Sequence, residues 1–273
     1  MTRLTNNDVK DLSENLGALE EFLVKNTGRT LKKLACEAVS MWEYAIDTKE
    51  YTCAVVPVTT GEGIITNFSE SVRDICKWLG FEAFVTEKTD ISGFREALEH
   101  KPNLIFMADD VEFLAYNIEA KKAANNTFST AKAYIAALSA AADMLIGKDV
   151  LIVGAGRVGG EMARLLVAKS ANVTVTDIDL DKAYAVQKAN PRVKVAEDVR
   201  AAIRAHKYIL NASPAHIETE DIQEGAIISS PGVPHTFDEE AKKKALIIHD
   251  PLAIGVAAMA MESAYYSYLG CRK

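Results

Sequence analysis

The chain has 273 residues, a length that suggests two domains, each large enough to bury a core of its own. Its formal net charge of −7 argues against a nucleic-acid partner, which would require clustered basic side chains. The nearest approach to a basic run, Lys242-Lys243-Lys244, follows Glu239-Glu240 and is typical of a solvated helix face.

Location is predicted from what the sequence lacks. It has no signal-peptide pattern, and no run reaches the roughly 18–20 apolar residues that a membrane span needs. The four cysteines stand far apart without a C-x-x-C pair. We therefore expect a cytoplasmic protein with reduced thiols, no membrane segment and no metal.

Helical patterns open the chain. Thr5 or Asn6 can cap a helix that runs toward Gly28, and Thr30 can cap a second helix whose apolar face extends from Leu31 to Ala45. Strand-like and helical runs then alternate as βαβαβ, which predicts a small, mostly parallel sheet. The runs are Thr52–Val58, Ser69–Leu79, Ala83–Thr86, Ile91–Glu99 and Asn103–Ala108.

A long Ala-rich helix, Thr130–Ile146, is predicted to connect this region to a second alternation of strands and helices. Six apolar runs in that alternation match a doubly wound sheet, and a last helix follows over Ala253–Leu269. The six runs are Asp149–Val153, Asn172–Thr176, Val193–Ala196, Tyr208–Asn211, Ala226–Ser229 and Leu246–His249.

The most informative motif is a glycine turn between the strand-like run 150–153 and the helical run 161–168. Its first glycine permits a tight turn, the second lets a diphosphate approach the backbone, and the third lets the helix pack closely on the strand. The helix N-terminus then faces the diphosphate with its N–H groups. The turn consists of Gly154, Ala155, Gly156, Arg157, Val158 and Gly159.

The next strand ends in Asp177, where a carboxylate can accept hydrogen bonds from ribose hydroxyls and repel a 2′-phosphate, so NAD is favoured over NADP. Ile178 beside it and the later strand ends are also predicted to contact the cofactor, although ordinary turns use the same residue types. The strand-end candidates are Asn211, Ala212, Ser213, Pro231, Gly232, Asp250 and Leu252.

These patterns predict an α/β protein with a C-terminal Rossmann dinucleotide-binding domain, a smaller N-terminal α/β domain and an active site in the cleft between them. The predicted boundaries are residues 1–126 for the substrate domain, 127–147 for a linker helix, 148–262 for the Rossmann domain and 263–273 for the end of the terminal helix.

Several blocks in both halves, in the same order, resemble the family of the pyrrolysine biosynthesis dehydrogenase PylD. They are Val56–Ile65 (VPVTTGEGII), Phe68-Ser69-Glu70, Leu104–Asp110 (LIFMADD), Pro231–Pro234 (PGVP) and His249–Ala257 (HDPLAIGVA). The resemblance implies a dipeptide-like substrate, L-lysine-Nε-(3R)-methyl-D-ornithine. It further implies that NAD+ takes hydride from the carbon bearing the terminal amine of the ornithine part, after which ammonia is lost and a pyrroline ring closes.

Candidate substrate residues lie in the smaller domain. Asp109 is our choice for catalysis, as the partner of a substrate ammonium, while helix capping is the alternative for both Asp109 and Asp110. Phe68 is a candidate pocket wall or a hydrophobic staple, and Leu4 is suggested by the resemblance. The remaining candidates form the loop after the first strand: Thr59, Thr60, Gly61 and Gly63.

Alternatives stay open at this point. His249 is a candidate acid or base by residue type, but a structural role is favoured. The terminal helix is a candidate for movement on NAD binding, and a homodimer is possible. The chain could instead be a two-domain dehydrogenase of the methylene-tetrahydrofolate or shikimate type, although VPVTTGEG and MADD lack the lysine that those families need, or a non-catalytic NAD-binding sensor.

Overall fold

The computed structural model describes residues 4–234 and 237–270. The chain divides into two compact units, named here by their sheets. Of the described residues, the five-stranded unit contains 4–25, 29–133 and 252–270, and the six-stranded unit contains 26–28 and 134–251. The terminal helix therefore groups with the five-stranded unit, whereas the sequence analysis placed its first half in the Rossmann domain.

The first part of the chain forms helices and strands in the following order: α1 Asn6–Val9, α2 Leu12–Thr27, α3 Leu31–Ala38, β1 Thr52–Val56, α4 Phe68–Trp78, β2 Glu82–Val85, α5 Asp90–Glu99, β3 Leu104–Ala108, β4 Phe113–Asn117, β5 Lys122–Asn125 and α6 Asn126–Ala141. The second part continues with β6 Asp149–Val153, α7 Arg157–Ala168, β7 Asn172–Thr176, α8 Leu180–Ala189, β8 Lys194–Val195, α9 Val199–Ala205, β9 Tyr208–Asn211, β10 Ala226–Ser230, α10 Glu239–Lys244, β11 Ala245–His249 and α11 Ala253–Gly270.

The six-stranded sheet has the order β11-β10-β9-β6-β7-β8, with every neighbouring pair parallel. This is the doubly wound order of a dinucleotide-binding domain, and it confirms the predicted fold class. Buried Leu151, Ile209 and Ile228 from three neighbouring strands form part of one core cluster. The glycine turn follows β6, which lies at the centre of the sheet beside the point where the strand order reverses.

The five-stranded sheet has the order β2-β1-β3-β4-β5. Strands β1, β2 and β3 are parallel, as the βαβαβ pattern predicted, while β4 pairs antiparallel with both β3 and β5. Strands β4 and β5 were not predicted from the sequence. The reason is clearest for β5, since its sequence Lys-Ala-Ala-Asn consists of residue types that are depleted in strands.

Two antiparallel pairings in succession turn β5 back into the direction of β3. The carboxyl ends of β1, β2, β3 and β5 therefore lie along one edge of the five-stranded sheet, which we call the carboxyl edge. The register agrees, because Leu114 pairs with both Met107 near the end of β3 and Asn125 at the end of β5. Loops that the sequence separates by up to about seventy residues thus meet along this edge.

The helical predictions needed correction in three places. The first predicted helix is interrupted after Val9 and resumes at Leu12, and the second ends at Ala38 rather than Ala45. Trp42, which lies within the apolar face predicted for this second helix, is 85% exposed. The connector helix begins at Asn126 and ends at Ala141, and the left-handed backbone of Asp143 and Met144 prevents it from reaching Ile146.

Helix α11 is apolar around most of its circumference and buried along most of its length, as expected for a helix enclosed by other elements. The Asn117 amide of β4 donates to the Ser263 carbonyl at 2.8 Å and to the Ser267 hydroxyl at 2.9 Å, so the polar groups of this contact are paired. Within residues 4–234 and 237–270, no helix has both the length and the apolar character needed to cross a membrane.

Candidate active site

The glycine turn has the geometry that its three glycines predict. Gly154 has a φ of +98°, and a Cβ at this position would lie 3.0 Å from the backbone of Ala212. A Cβ on Gly159 would lie 1.9 Å from the Gly154 carbonyl oxygen, closer than any real contact. The first glycine therefore shapes the turn, and the third lets α7 pack directly against it.

Gly156 differs because the protein itself does not require a glycine there. A Cβ would meet no protein atom within 4 Å, and the φ of −72° is open to any residue. Gly156 is the N-cap of α7, so it has no side chain to accept from the first helical turn, and that turn contains no acidic residue. This open space at a helix N-terminus is one that the diphosphate of a dinucleotide could occupy.

Asp177 lies beside this turn. Its Oδ2 accepts a hydrogen bond from the Ala155 N–H at 2.6 Å, and its Oδ1 accepts one from the Asp179 N–H at 2.9 Å. These bonds orient the carboxylate, and each oxygen retains a further lone pair for a ribose hydroxyl. The neighbouring Ile178 is 90% exposed.

The later strand ends are tied to one another. The buried Asn211 accepts from the Ser213 hydroxyl at 2.9 Å through its side chain and from the Gly232 N–H at 3.2 Å through its backbone. A Cβ on Gly232 would lie 2.1 Å from the Ser213 carbonyl, so these two loops touch backbone to backbone. Asn211 thus shapes the loops, while Ala212, Ser213, Pro231 and Gly232 are only partly buried.

His249, at the end of β11, has a structural contact. Its Nδ1 lies 2.8 Å from the Ser230 carbonyl oxygen, which joins the ends of two neighbouring strands. This contact agrees with the favoured structural role of His249, and a role in acid–base catalysis stays an alternative prediction. Asp250 follows directly, and the hydroxyl of Tyr134 lies against both of its backbone polar groups.

In the five-stranded unit, the loop between β1 and α4 is held at two places on the carboxyl edge. The Thr59 N–H and hydroxyl donate to the Asp90 carboxylate at 2.8 and 2.7 Å. The Glu62 N–H donates to Asp110 Oδ2 at 2.7 Å, and a Cβ on Gly61 would lie 1.9 Å from the same oxygen. Asp110 therefore holds this loop through the Glu62 N–H, and the φ of +78° at Gly61 is a left-handed conformation that favours glycine.

Asp109 closes the turn between β3 and β4. Its Oδ1 accepts from the N–H groups of Val111 and Glu112 at 2.8 and 2.7 Å, and its own N–H donates to the Glu112 carbonyl. These bonds, first that from Glu112, hold the pKa of the Asp109 carboxyl below its ordinary value. The exposed carboxylate stays charged at neutral pH, which suits an ammonium partner better than proton abstraction.

The remaining sequence candidates vary in their surroundings. Thr60 is exposed, Gly63 has a φ of +86°, and Leu4 is half-buried. The half-buried Phe68 begins α4, and its ring meets that of the buried Phe113 edge-on, with centroids 5.3 Å apart. Phe68 is therefore partly engaged in packing and partly accessible.

The structure adds residues to the carboxyl edge that the sequence analysis did not select. Asn126, Thr127 and Phe128 begin α6 immediately after β5, and Phe128 is 49% exposed. Ile64 and Val111, in the two neighbouring loops, are 51% and 72% exposed. The run Asn125-Asn126-Thr127 before an apolar helix is a helix-start signal, but only the pairing of β4 with β5 reveals that it lies at this edge.

Comparison with solved structures identifies the class of fold. Shikimate dehydrogenase from Aquifex aeolicus superposes with a TM-score of 0.55 at 16% identity, covering 83% of this chain and 98% of that chain. Quinate dehydrogenase from Corynebacterium glutamicum, solved with NAD, gives 0.54 at 13% identity over 80% and 93%. The chain thus has the Rossmann-like fold of these dehydrogenases.

Comparison with sequences identifies the family. Residues 8–124 match the model of the N-terminal domain of the pyrrolysine biosynthesis protein PylD. A pyrrolysine synthase from Methanosarcina barkeri is 34% identical over 265 residues, which are 95% of this chain and 97% of that protein. The chain belongs to the pyrrolysine synthase family, which confirms the resemblance found in its sequence.

Proposed function

We propose that this protein is an NAD-dependent amine dehydrogenase that forms pyrrolysine from L-lysine-Nε-(3R)-methyl-D-ornithine in the last step of pyrrolysine biosynthesis. Family membership along nearly the whole chain is the observation that carries the proposal. The glycine turn and Asp177 support its cofactor, and the carboxyl edge of the five-stranded unit supports its substrate.

The cofactor is NAD rather than NADP in this proposal. The space beside Gly156 suits the diphosphate, and the bonds from Ala155 and Asp179 aim the Asp177 carboxylate beside the same turn. This carboxylate accepts hydrogen bonds from ribose hydroxyls and repels a phosphate ester at the 2′ position. Bound NAD+ supplies the hydride acceptor.

The carboxyl edge combines two chemical properties that match this substrate. Asp109 is an exposed carboxylate that stays charged, and the exposed side chains of Ile64, Val111 and Phe128 are apolar. The substrate carries ammonium groups at the ends of aliphatic chains. Pairing the ammonium with Asp109 and packing the chains against the apolar side chains would fix the orientation of the amine-bearing carbon.

The chemistry of the substrate limits the role of Asp109. Loss of hydride from the carbon bearing the terminal amine leaves an imine and requires that this amine be neutral. The α-amine then adds to the imine carbon, ammonia leaves, and a carbon–nitrogen double bond closes the ring. Because its pKa is lowered, Asp109 is a weak base, so we assign it to binding and orientation rather than to proton removal.

The test combines NAD+ with the lysine–methylornithine isopeptide and follows NADH absorbance, ammonia and product mass together. The proposal predicts one NADH and one ammonia for each product, whose mass equals that of the substrate less one ammonia and two hydrogens. A protein that binds NAD+ but yields none of these products would contradict it. The cytoplasmic location and the possible homodimer stay predictions from the sequence.

A further inference from the structure

Tyr134 places a hydroxyl group in the interior of the six-stranded unit. Its side chain is 1% exposed and extends from α6. The hydroxyl donates to the Asp250 carbonyl and accepts from the Asp250 N–H at 3.1 Å. One side chain therefore pairs with both backbone polar groups of a single residue, just beyond the end of β11.

Two further contacts involve residues next to this one. The Ser229 hydroxyl of β10 donates to the Tyr134 carbonyl oxygen at 2.8 Å, and both groups are buried. His249, which directly precedes Asp250, contacts the Ser230 carbonyl, also of β10. The Ser229 bond thus holds the backbone of α6 and the His249 contact joins the ends of β10 and β11, while the Tyr134 hydroxyl is the group that pairs with the Asp250 backbone.

The loop held in this way lies where the six-stranded sheet meets its ligand. Its neighbours on the same edge are the strand ends at Ser213 and Gly232, because β9, β10 and β11 are parallel. Ligands of such sheets bind outside the carboxyl ends of the strands. The glycine turn and Asp177 take the diphosphate and the adenosine ribose, which leaves the later strand ends for the nicotinamide half.

We propose that Tyr134 is a positioning residue that holds the backbone of Asp250 in place for the nicotinamide half of the cofactor. The inference rests on the proposed use of NAD. Tyr134 acts only through Asp250, so loss of its hydroxyl alone leaves the packing of its ring and the distant diphosphate site intact.

The test uses Tyr134→Phe, which removes the hydroxyl and retains the ring. Two ligands report on the two halves of the site: NAD+, and ADP-ribose, which lacks nicotinamide. We expect the variant to bind ADP-ribose as the wild type does and to bind NAD+ about tenfold more weakly, because the released Asp250 backbone must be ordered again when the nicotinamide half binds. Turnover with saturating NAD+ falls as well, because the nicotinamide is less well oriented.

Ser229→Ala is the matched control, since it removes a buried hydrogen bond to the same tyrosine without touching Asp250. It should lower the melting temperature as Tyr134→Phe does, but leave both affinities unchanged. Hydrogen exchange adds a readout that does not depend on activity, because the Asp250 amide loses the Tyr134 hydroxyl as an acceptor only in Tyr134→Phe and should exchange faster there.

Equal weakening of NAD+ and ADP-ribose in Tyr134→Phe, or wild-type affinity for both, would overturn the inference. The same is true if Ser229→Ala reproduces the NAD+ defect, because the effect would then follow from stability. Wild-type protein that fails to bind NAD+ would refute the proposed function and this inference together. If the wild type binds NAD+ and only the result for Tyr134→Phe differs from the expectation, the inference fails and the proposed function stands.

Discussion

The two glycines at the start of α7 should respond differently to the same substitution. Alanine at Gly159 places a Cβ 1.9 Å from the Gly154 carbonyl oxygen, so α7 or the turn must shift by more than 1 Å to restore a normal contact. Overpacking of this kind typically costs about 1–3 kcal/mol or more. Alanine at Gly156 meets no protein atom within 4 Å and has an ordinary φ, so its cost to folding should stay below about 1 kcal/mol.

Cofactor binding should nevertheless be lost in both variants, since a methyl group at position 156 occupies the space assigned to the diphosphate. The assay is thermal unfolding with and without NAD+. Wild type should gain about 2.7 kcal/mol at a ligand concentration of roughly a hundred times Kd. Without ligand, Gly156→Ala should stay within about 1 kcal/mol of the wild type, and it should gain almost nothing with NAD+, while Gly159→Ala should already be destabilised without ligand. Full NAD+ stabilisation of Gly156→Ala would refute the placement of the diphosphate.

The other predictions concern three aspartates. Asp109→Asn should lower kcat/KM for the isopeptide by at least about tenfold and leave the Kd of NAD+ unchanged, because it removes only the charge that pairs with the ammonium. An unchanged kcat/KM would remove Asp109 from the site. Asp177→Ala should raise the KM for NAD+ and reduce the preference for NAD+ over NADP+, and an undiminished preference in steady-state kinetics would contradict its assignment. Asp221 is 2% exposed and accepts hydrogen bonds from Arg200 and Arg204, which lower the pKa of its carboxyl in the folded protein. Its ionised form therefore stabilises the protein at neutral pH, and this stabilisation is lost as the pH falls from the unfolded-state pKa of 3.8 through the lower folded-state pKa. Asp221→Asn should therefore lower Tm at pH 7 and converge with the wild type in acid, and a difference that persists in acid would contradict this reading.

The sequence predicted the six-stranded unit well because its information is local. A strand, the glycine turn, a helix and Asp177 follow one another within about thirty residues, and each is specified by neighbouring side chains. The structure adds that packing requires a glycine at position 159 but not at position 156, a difference that depends on the atoms around each residue.

The five-stranded unit was less predictable because its edge is assembled by pairing at a distance. Nothing in the run Lys122–Asn125 indicates a strand, yet its pairing with β4 brings Phe128 to the edge that carries Asp109. The role of Asp110 was equally hidden, since its acceptor function depends on a loop 48 residues earlier. Side-chain type suggested a binding role for Asp110, which stays a prediction, and the geometry adds that its carboxylate accepts from the Glu62 N–H.

The central claim is that hydride passes from the amine-bearing carbon of the substrate to NAD+. The most direct test uses isopeptide in which both hydrogens on that carbon are replaced by deuterium. The reduced cofactor and the product are then analysed by mass spectrometry. The account predicts one deuterium in each NADH formed and a product that retains the other at the ring carbon–nitrogen double bond. Reduced cofactor without deuterium, or ring closure without reduced cofactor, would contradict it.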